Sequence, residues 1–159
     1  MTKIYLHPIA PVVFEDSLTL ILGSFPSLKS FEHEFYYAHP KNQFWSILSD
    51  IYGLPVRSVE DKIALLSFAK IALWDVIASC ERTNSADSNL KNTKPNDIEG
   101  LLRKYPNIKR VFFTGRLSEK LYKKHFGHLV LPTALLPSPS PAYAAMRLQE
   151  KVRRWKQLF

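Results

Sequence analysis

The sequence has a single cysteine and no long apolar run. One cysteine, Cys80, cannot form an intrachain disulfide and cannot supply the thiolates of an iron–sulfur cluster or a structural zinc site. No apolar stretch approaches the roughly 18 to 20 residues that span a bilayer, and the N-terminus lacks the charged-then-apolar layout of a signal peptide. We therefore expect no metal, no membrane contact and a soluble, cytoplasmic protein.

Domain signals are also sparse. The 159 residues contain no internal repeat, no low-complexity tract and no convincing linker, and the length is near that of one ordinary domain. A single domain over 1–159 is the expectation. The 22 Lys+Arg against 14 Asp+Glu give a formal charge of +8, which favours a polyanionic partner. A merely solvated basic surface fits the charge equally well, so the charge leaves the partner open.

Four short runs of β-forming residues alternate with segments of helical period. The strands are predicted at 18–22, 71–77, 110–114 and 129–136. This alternation predicts a parallel sheet covered by helices on both faces. Helices are predicted after Pro40 and ending at Gly53, after Ser58 with Asp61 as its capping partner, from about Asn96 with Glu99, after Gly115, and through the end of the chain.

The last predicted helix carries apolar residues at spacings of three and four, from Ala145 to Phe159. That stripe should face the sheet. Its basic residues are then expected mostly on the outer faces: Arg147, Lys151, Arg153, Arg154 and Lys156.

Every unusual segment follows a predicted strand. In an open parallel sheet the ligand binds beyond the carboxyl ends of the strands, where the loops converge. The four segments are GSFPS, the long polar stretch SCERTNSADS, TGR and LLPSPSPAYAA. The sequence therefore predicts one site built from four loops.

Two of these loops are rigid Pro-Ser turns. GSFPS has neither the P-loop nor the GxGxxG spacing, which disfavours a nucleotide cofactor. Gly23 permits a close approach to a ligand, and Pro26 fixes the backbone. LPSPSPA is a second turn whose backbone is made rigid, in this case by three prolines. Such turns suit a DNA strand, because hydroxyls and amides bind phosphates while a loop tip fills the gap left by an extruded base. Ordinary strand-to-helix turns are the alternative.

The motifs together point to a known family. GSFPS, then YYAHPKNQFW at 36–45, DVIASCER at 75–82 and LPSPSPA at 136–142 follow one another in the order of the uracil-DNA glycosylase superfamily. They most closely resemble its hypoxanthine (deoxyinosine) DNA glycosylase branch, over nearly the whole chain. The resemblance implies an α/β fold, a three-layer α/β/α sandwich around a four-stranded parallel sheet.

The resemblance also implies that the protein is a monofunctional DNA glycosylase that acts without metal or cofactor. It would flip a deaminated base, hypoxanthine first and uracil second, out of single-stranded or double-stranded DNA and let water cleave the N-glycosidic bond. A monomer is expected. Two alternatives stay open: a uracil glycosylase directed to G·U mismatches, and a catalytically silent nucleic-acid-binding protein on the same fold.

Catalysis is assigned by the same resemblance. Other branches hold the water with a polar side chain at the position of Phe25, which has none, so the role is expected of Asn42, whose amide can both accept from and donate to water. An asparagine that merely caps the first helical turn is the alternative. His39 is expected to donate to the base or a phosphate, or else only to fix the start of the helix.

Base and DNA contacts complete the expectation. Tyr37 aligns with the aromatic on which the extruded base stacks. The edge of the base is expected to contact Gly23, Ser24 and Phe25 of the first turn, which is GSFPS. Asp87 and Ser88, in the polar stretch after the second predicted strand, are expected to contact it as well. Leu136 stands where uracil enzymes carry a histidine, which favours a slower or broader enzyme. The residues expected to hold the DNA strand or fill its gap are Pro26, Ser27, Ser138, Ser140, Pro141, Ala142 and Tyr143.

Overall fold

A four-stranded parallel sheet forms the centre of the molecule. The structure, a computed structural model, describes residues 3–82 and 90–159. The strands of this sheet are β2 (Thr19–Gly23), β3 (Ile71–Asp75), β6 (Arg110–Phe113) and β7 (Thr133–Leu135), in the order β3-β2-β6-β7 with every neighbouring pair parallel. The residues of β2, β3 and β6 are mostly buried and apolar, as expected of strands covered on both faces, whereas the edge strand β7 is partly exposed. The predicted parallel sheet is confirmed.

Helices cover both faces of the sheet. Alternate residues of β2 point to opposite sides: Ile21 packs with α2 (Phe44–Tyr52), α3 (Val59–Ala69) and α6 (Leu148–Leu158), whereas Leu20 and Leu22 pack with α4 (Ile98–Lys104) and α5 (Arg116–Phe126). Two separate apolar cores therefore lie above and below the sheet. This is the expected three-layer sandwich.

A second sheet was not predicted. Strands β1 (Lys3–Leu6), β4 (Ile77–Arg82) and β5 (Lys91–Pro95) form an antiparallel sheet in the order β1-β4-β5. The predicted strand 71–77 therefore ends early, at Asp75, and the chain changes sheet. The outer strands escaped the sequence analysis because they are mostly exposed, and lack the apolar alternation that marks a half-buried strand.

Several predicted boundaries need correction. The strand expected over 129–136 is only Thr133–Leu135, since Pro132 lacks an N–H for the ladder. The helix expected from Asn96 is capped by Asp97, whose carboxylate accepts from the amide of Gly100. Glu99 instead contacts His128.

The remaining helix signals agree with the structure, with one exception. Gly53 ends α2 in the left-handed region, and Ser58 caps α3 by accepting from the amide of Asp61. The short helix α1 (Leu28–His33) was not predicted. The expectation that Lys151 lies on an outer face is wrong, because its side chain is only 1% exposed.

Two features that the described residues lack bear on function. None of the described helices is both long and apolar enough to cross a bilayer. Among residues 3–82 and 90–159, no group of three or more His, Cys, Asp or Glu side chains is arranged to hold a metal ion. Cys80 is buried in β4, and its burial raises the pKa of the thiol, which is typical of a packing residue rather than a nucleophile.

Candidate active site

The loops that follow the parallel strands open into one cavity of about 1080 Å³. The first turn, the turn before α2 and the Pro-Ser loop at 135–143 all line it, together with the segment after β6. The first turn, the Pro-Ser loop and the segment after β6 are three of the four loops expected to converge, and the turn before α2 was not among those four. The sequence-predicted residues on its wall are Gly23, Ser24, Phe25, Pro26, Ser27, Tyr37, His39, Asn42, Ser138, Ser140, Pro141, Ala142 and Tyr143.

Tyr37 presents a rigid aromatic ring to this cavity. Its ring stacks on Phe44 with the centroids 3.9 Å apart and the planes 8° from parallel. Its hydroxyl lies 3.1 Å from the Oγ1 of Thr114. The backbone of Tyr37 has a φ of 53°, in the left-handed region that non-glycine residues rarely occupy. Strain of this kind is kept where the surrounding contacts fix one orientation, and it clusters at functional sites.

Gly23 lets the end of β2 approach the site closely. A Cβ there would lie 2.5 Å from Oδ1 of Asp75 and 3.1 Å from the hydroxyl of Tyr37. Asp75 in turn accepts from Nε2 of His7 at 2.8 Å, and both side chains are 5% exposed or less. Since Nδ1 of His7 accepts from the amide of Ile9, the proton of this histidine faces the carboxylate.

The buried His7 and Asp75 pair was missed by the sequence analysis. Asp75 stands in the third motif at the carboxyl end of a predicted strand, and that position was a usable signal. His7 lies 68 residues away in the sequence and outside every motif, so only the fold joins the two.

Asn42 and His39 lie at the two ends of one turn. The amide of Asn42 donates to the carbonyl of His39 at 2.9 Å. Nδ1 of His39 accepts from the amide of Lys41 at 3.1 Å, so the proton of a neutral His39 ring is on Nε2. Oδ1 of Asn42 accepts from the amide of Phe44 at 2.9 Å. Asn42 therefore does cap the first turn of α2, and it lines the cavity as well.

These contacts fix what the two side chains can do chemically. The Phe44 amide is a donor, so the Asn42 atom facing it is the oxygen. That oxygen retains a second lone pair, and Nδ2 makes no hydrogen bond within residues 3–82 and 90–159. Asn42 can accept one hydrogen of a water molecule, while Nε2 of His39 can donate to an anionic group.

In the Pro-Ser loop, the serine hydroxyl oxygens accept hydrogen bonds from backbone amides, which leaves the hydroxyl hydrogens to be donated. Oγ of Ser138 accepts from the amide of Ser140, and Oγ of Ser140 accepts from the amide of Ala142, each at 3.2 Å. Each hydroxyl hydrogen has no acceptor in the described part of the chain and can be donated to a phosphate oxygen. The loop itself is held by its carbonyls, since Trp155 donates to Pro137 and the amide of Gln43 donates to Pro139.

The first turn is organised differently. Oγ of Ser27 caps α1 by accepting from the amide of Ser30, and it donates to the hydroxyl of Ser30. The ring of Phe25 packs against Phe31 and is only 8% exposed. The carbonyl of Pro26 accepts from the buried guanidinium of Arg82. The Ser27 hydroxyl of this turn is therefore used within α1, unlike the serine hydroxyls of the Pro-Ser loop.

Three arginines give the cavity wall its charge. Arg116 at the start of α5 and Arg153 and Arg154 of α6 all line it. Glu150 accepts from both Arg153 and Arg154, and these hydrogen bonds lower the pKa of its carboxyl. The sequence analysis counted these arginines among the basic residues of the chain without assigning them to the site.

The other predicted contacts divide into two groups. Pro141, Ala142 and Tyr143 are exposed on the cavity wall, as a loop tip that fills a DNA gap must be. Leu136 lines the cavity and is 1% exposed, so its position supplies no hydrogen bond from a side chain. Asp87 and Ser88 lie outside the described residues.

Known proteins resemble this chain over nearly its whole length. The family model of the uracil DNA glycosylase superfamily matches residues 12–159. The chain belongs to the uracil DNA glycosylase superfamily. It is 32% identical over 151 residues to a hypoxanthine DNA glycosylase of Methanosarcina barkeri, a match that covers 94% of each chain. It is 31% identical to a hypoxanthine DNA glycosylase of Methanosarcina acetivorans, covering 93% of this chain and 94% of the relative.

A solved structure of the superfamily has the same fold. The solution NMR structure of a Methanosarcina acetivorans protein, described as a candidate uracil DNA glycosylase, superposes with a TM-score of 0.83 at 30% identity. The superposition covers 99% of this chain and 96% of that one. The resemblance inferred from the four motifs is confirmed.

Proposed function

We propose that this superfamily member is a DNA glycosylase that removes hypoxanthine from DNA and leaves an abasic site. The observation that carries the proposal is the meeting of Tyr37, His39 and Asn42 on one cavity wall between two Pro-Ser loops. Two relatives named hypoxanthine DNA glycosylases, each aligned over more than nine-tenths of the chain, support the choice of base.

Capture of the flipped nucleotide is assigned to the Tyr37 ring and the serine loop. The Tyr37 ring lines the cavity and is supported from behind by Phe44, and stacking of a base on such a ring contributes roughly 1 to 3 kcal/mol. The hydroxyls of Ser138 and Ser140 donate to the phosphates beside the lesion. Arg116 adds charge at the same wall.

Bond cleavage requires relief of charge on the base and a water at the sugar. As the N-glycosidic bond breaks, its electron pair leaves with the base and the sugar gains oxocarbenium character. Asn42 accepts a hydrogen bond from the water that adds to the anomeric carbon. His39 donates through Nε2 to the base or to a phosphate. The proton released by the water ends on the departing base or in solvent.

Uracil is the competing substrate. Hypoxanthine and uracil both present a carbonyl beside an N–H, so one pocket could accept both. The buried Leu136 offers no donor to a base carbonyl, which disfavours an enzyme built strictly for uracil. The superfamily's name and the description of the superposed structure keep uracil in the comparison.

A set of oligonucleotides tests the substrate. Single-stranded and double-stranded DNA carrying one inosine, uracil, xanthine or mismatched thymine is incubated with the enzyme, and abasic sites are cleaved with alkali and counted on a gel. We expect the fastest cleavage at inosine. Equal rates at inosine and uracil would defeat the narrow assignment, and binding without any abasic product would indicate a silent DNA-binding protein.

Replacement of Asn42 tests the mechanism. In Asn42→Ala we expect single-turnover cleavage to fall by about 100-fold or more, because one preorganised hydrogen-bonding group is typically worth that much. DNA affinity should stay near that of the wild type. Asn107→Ala is the matched control, since Asn107 is exposed and its side chain donates to the carbonyl of Glu15, away from the cavity lining. Undiminished cleavage in Asn42→Ala would remove this residue from the mechanism.

A further inference from the structure

The cationic side chain of Lys151 is buried beneath the Pro-Ser loop. It projects from α6, is 1% exposed, and forms no ion pair with any carboxylate of residues 3–82 and 90–159. Its burial lowers the pKa of the ammonium group. Burying an unpaired cation costs free energy, so a simple packing role would be served better by an apolar side chain.

Within the described residues, the ammonium group of Lys151 contacts the Pro-Ser loop and the residue that precedes α2. Its Nζ lies 2.7 Å from Oε1 of Gln43 and 3.4 Å from the carbonyl of Ser140, and it donates to both. It also lies 5.3 Å from the ring centroid of Tyr143. One ammonium group therefore contacts the start of α2 and two residues of the loop.

Gln43 connects this contact to the proposed catalytic residue. Gln43 directly follows Asn42, and its backbone amide donates to the carbonyl of Pro139 at 2.9 Å. The side chain of Gln43 thus contacts Lys151, and its backbone contacts the Pro-Ser loop. A shift of the loop relative to Gln43 would move Asn42 relative to the serines that hold the phosphates.

We propose that Lys151 is a positioning residue that locks the Pro-Ser loop to the start of α2 and so fixes Asn42 relative to the bound DNA strand. This proposal rests on the proposed function, because the geometry it protects is that of a cleavage site. Lys151 is not among the residues that line the cavity. It acts through Gln43 and Ser140.

Lys62 provides a matched control. It is also partly buried, its pKa is also lowered by burial, and its Nζ also lies 5.3 Å from an aromatic centroid, that of Trp45. It contacts Trp45 of α2, and neither Lys62 nor Trp45 is among the residues that line the cavity. Lys62→Met and Lys151→Met therefore remove the same charge from similar surroundings, and only the second removes the lock.

The first measurement compares rates and affinities on inosine-containing DNA. In Lys151→Met we expect the single-turnover rate constant to fall by about tenfold or more, because small displacements of reacting groups are costly. The DNA dissociation constant should change less than the rate. Lys62→Met should match the wild type in both. If Lys151→Met cleaves as fast as Lys62→Met, the proposal is overturned.

The second measurement does not depend on activity. Hydrogen exchange of the Gln43 amide, followed by NMR on the free protein, reports the bond to Pro139 directly. We expect this amide to exchange at least about tenfold faster in Lys151→Met, while the amide of Val111 in the central sheet keeps its wild-type rate. An unchanged Gln43 exchange rate would overturn the proposal even if cleavage were slower.

A second variant protects the test against a folding defect. Gln43→Leu removes the acceptor Oε1 but keeps the backbone amide that bonds Pro139. If the two side chains act as one contact, the double variant with Lys151→Met should lose little more activity than either single variant. Fully additive losses would overturn the coupling.

The outcomes separate the two proposals. If the wild type cleaves no lesion but Lys151→Met still loosens the Gln43 amide, the glycosylase assignment fails and the lock survives as a structural feature. If the wild type cleaves inosine and Lys151→Met leaves both the rate and the amide unchanged, the lock fails and the proposed function stands.

Discussion

Both Pro-Ser loops of the site are held by a buried cation, but the two cations are held in different ways. Arg82 donates to the carbonyl of Pro26 in the first turn, and Lys151 donates to the carbonyl of Ser140 in the last loop. The guanidinium of Arg82 lies within about 5 Å of the ring centroids of Tyr5, Phe25 and Phe31. Lys151 has one such ring, that of the exposed Tyr143.

Because of this difference, we expect the first turn to contribute mainly to the stability of the fold and the last loop mainly to the positioning of DNA. Phe25 belongs to the core beside α4 and α5, so the first turn is continuous with the interior of the fold. The last loop rests on α2 and α6 through a few hydrogen bonds, and its tip is exposed. The first turn should therefore respond to mutation mainly through folding, and the last loop mainly through DNA handling.

The largest expected effect is on folding and comes from Arg82→Leu. Loss of the guanidinium leaves the buried Pro26 carbonyl without this donor and removes the cation–π contacts with the three surrounding aromatic rings. We expect the free energy of unfolding to fall by about 3 kcal/mol. Urea denaturation followed by circular dichroism measures it.

The comparison between the two cations makes this prediction sharp. In Lys151→Met the loss of two neutral contacts is offset by the removal of a buried charge, so the free energy of unfolding should change by less than about 1 kcal/mol. Equal destabilisation by the two substitutions would show that the loops are anchored alike.

The next effect concerns Tyr37, which lies between the two loops. Tyr37→Ala removes the proposed stacking surface and should lower single-turnover cleavage of inosine by roughly 10-fold to 100-fold, the equivalent of one base–aromatic stack. Tyr37→Phe keeps the ring and loses the hydroxyl that bonds Thr114, so it should retain most of the rate. An unchanged rate in Tyr37→Ala would count against stacking.

The sequence predicted those parts of the molecule that have a local pattern of residues typical of their structure. Buried apolar runs marked β2, β3 and β6, and small motifs of proline, serine and glycine marked the loops at their ends. Asn42 and Tyr37 could be named because they stand inside such a motif. The convergence of these segments followed from the rule for parallel sheets.

What the sequence could not show depends on long-range contacts. The edge strands β1 and β5 are polar and exposed, so they carry no apolar pattern. Lys151 looks like a surface lysine, because helical periodicity sorts residues by polarity and cannot detect a buried amine bound to Gln43, 108 positions away. Arg82 was visible in its motif, but its role became clear only from the aromatic rings around it.

The smallest expected effect distinguishes the serines of the two loops. Ser138→Ala and Ser140→Ala each remove one hydroxyl donor that is proposed to bind a phosphate, so each should weaken DNA binding by about fivefold, the equivalent of about 1 kcal/mol. Ser27→Ala should instead leave affinity unchanged and lower the free energy of unfolding by about 1 kcal/mol, since both hydrogen bonds of its hydroxyl serve the cap of α1. Fluorescence anisotropy at one fixed salt concentration measures the affinities, and urea denaturation measures the stabilities. If Ser27→Ala weakened binding as much as the other two, the first turn would also bind phosphate through its side chain, and the contrast between the loops would be wrong.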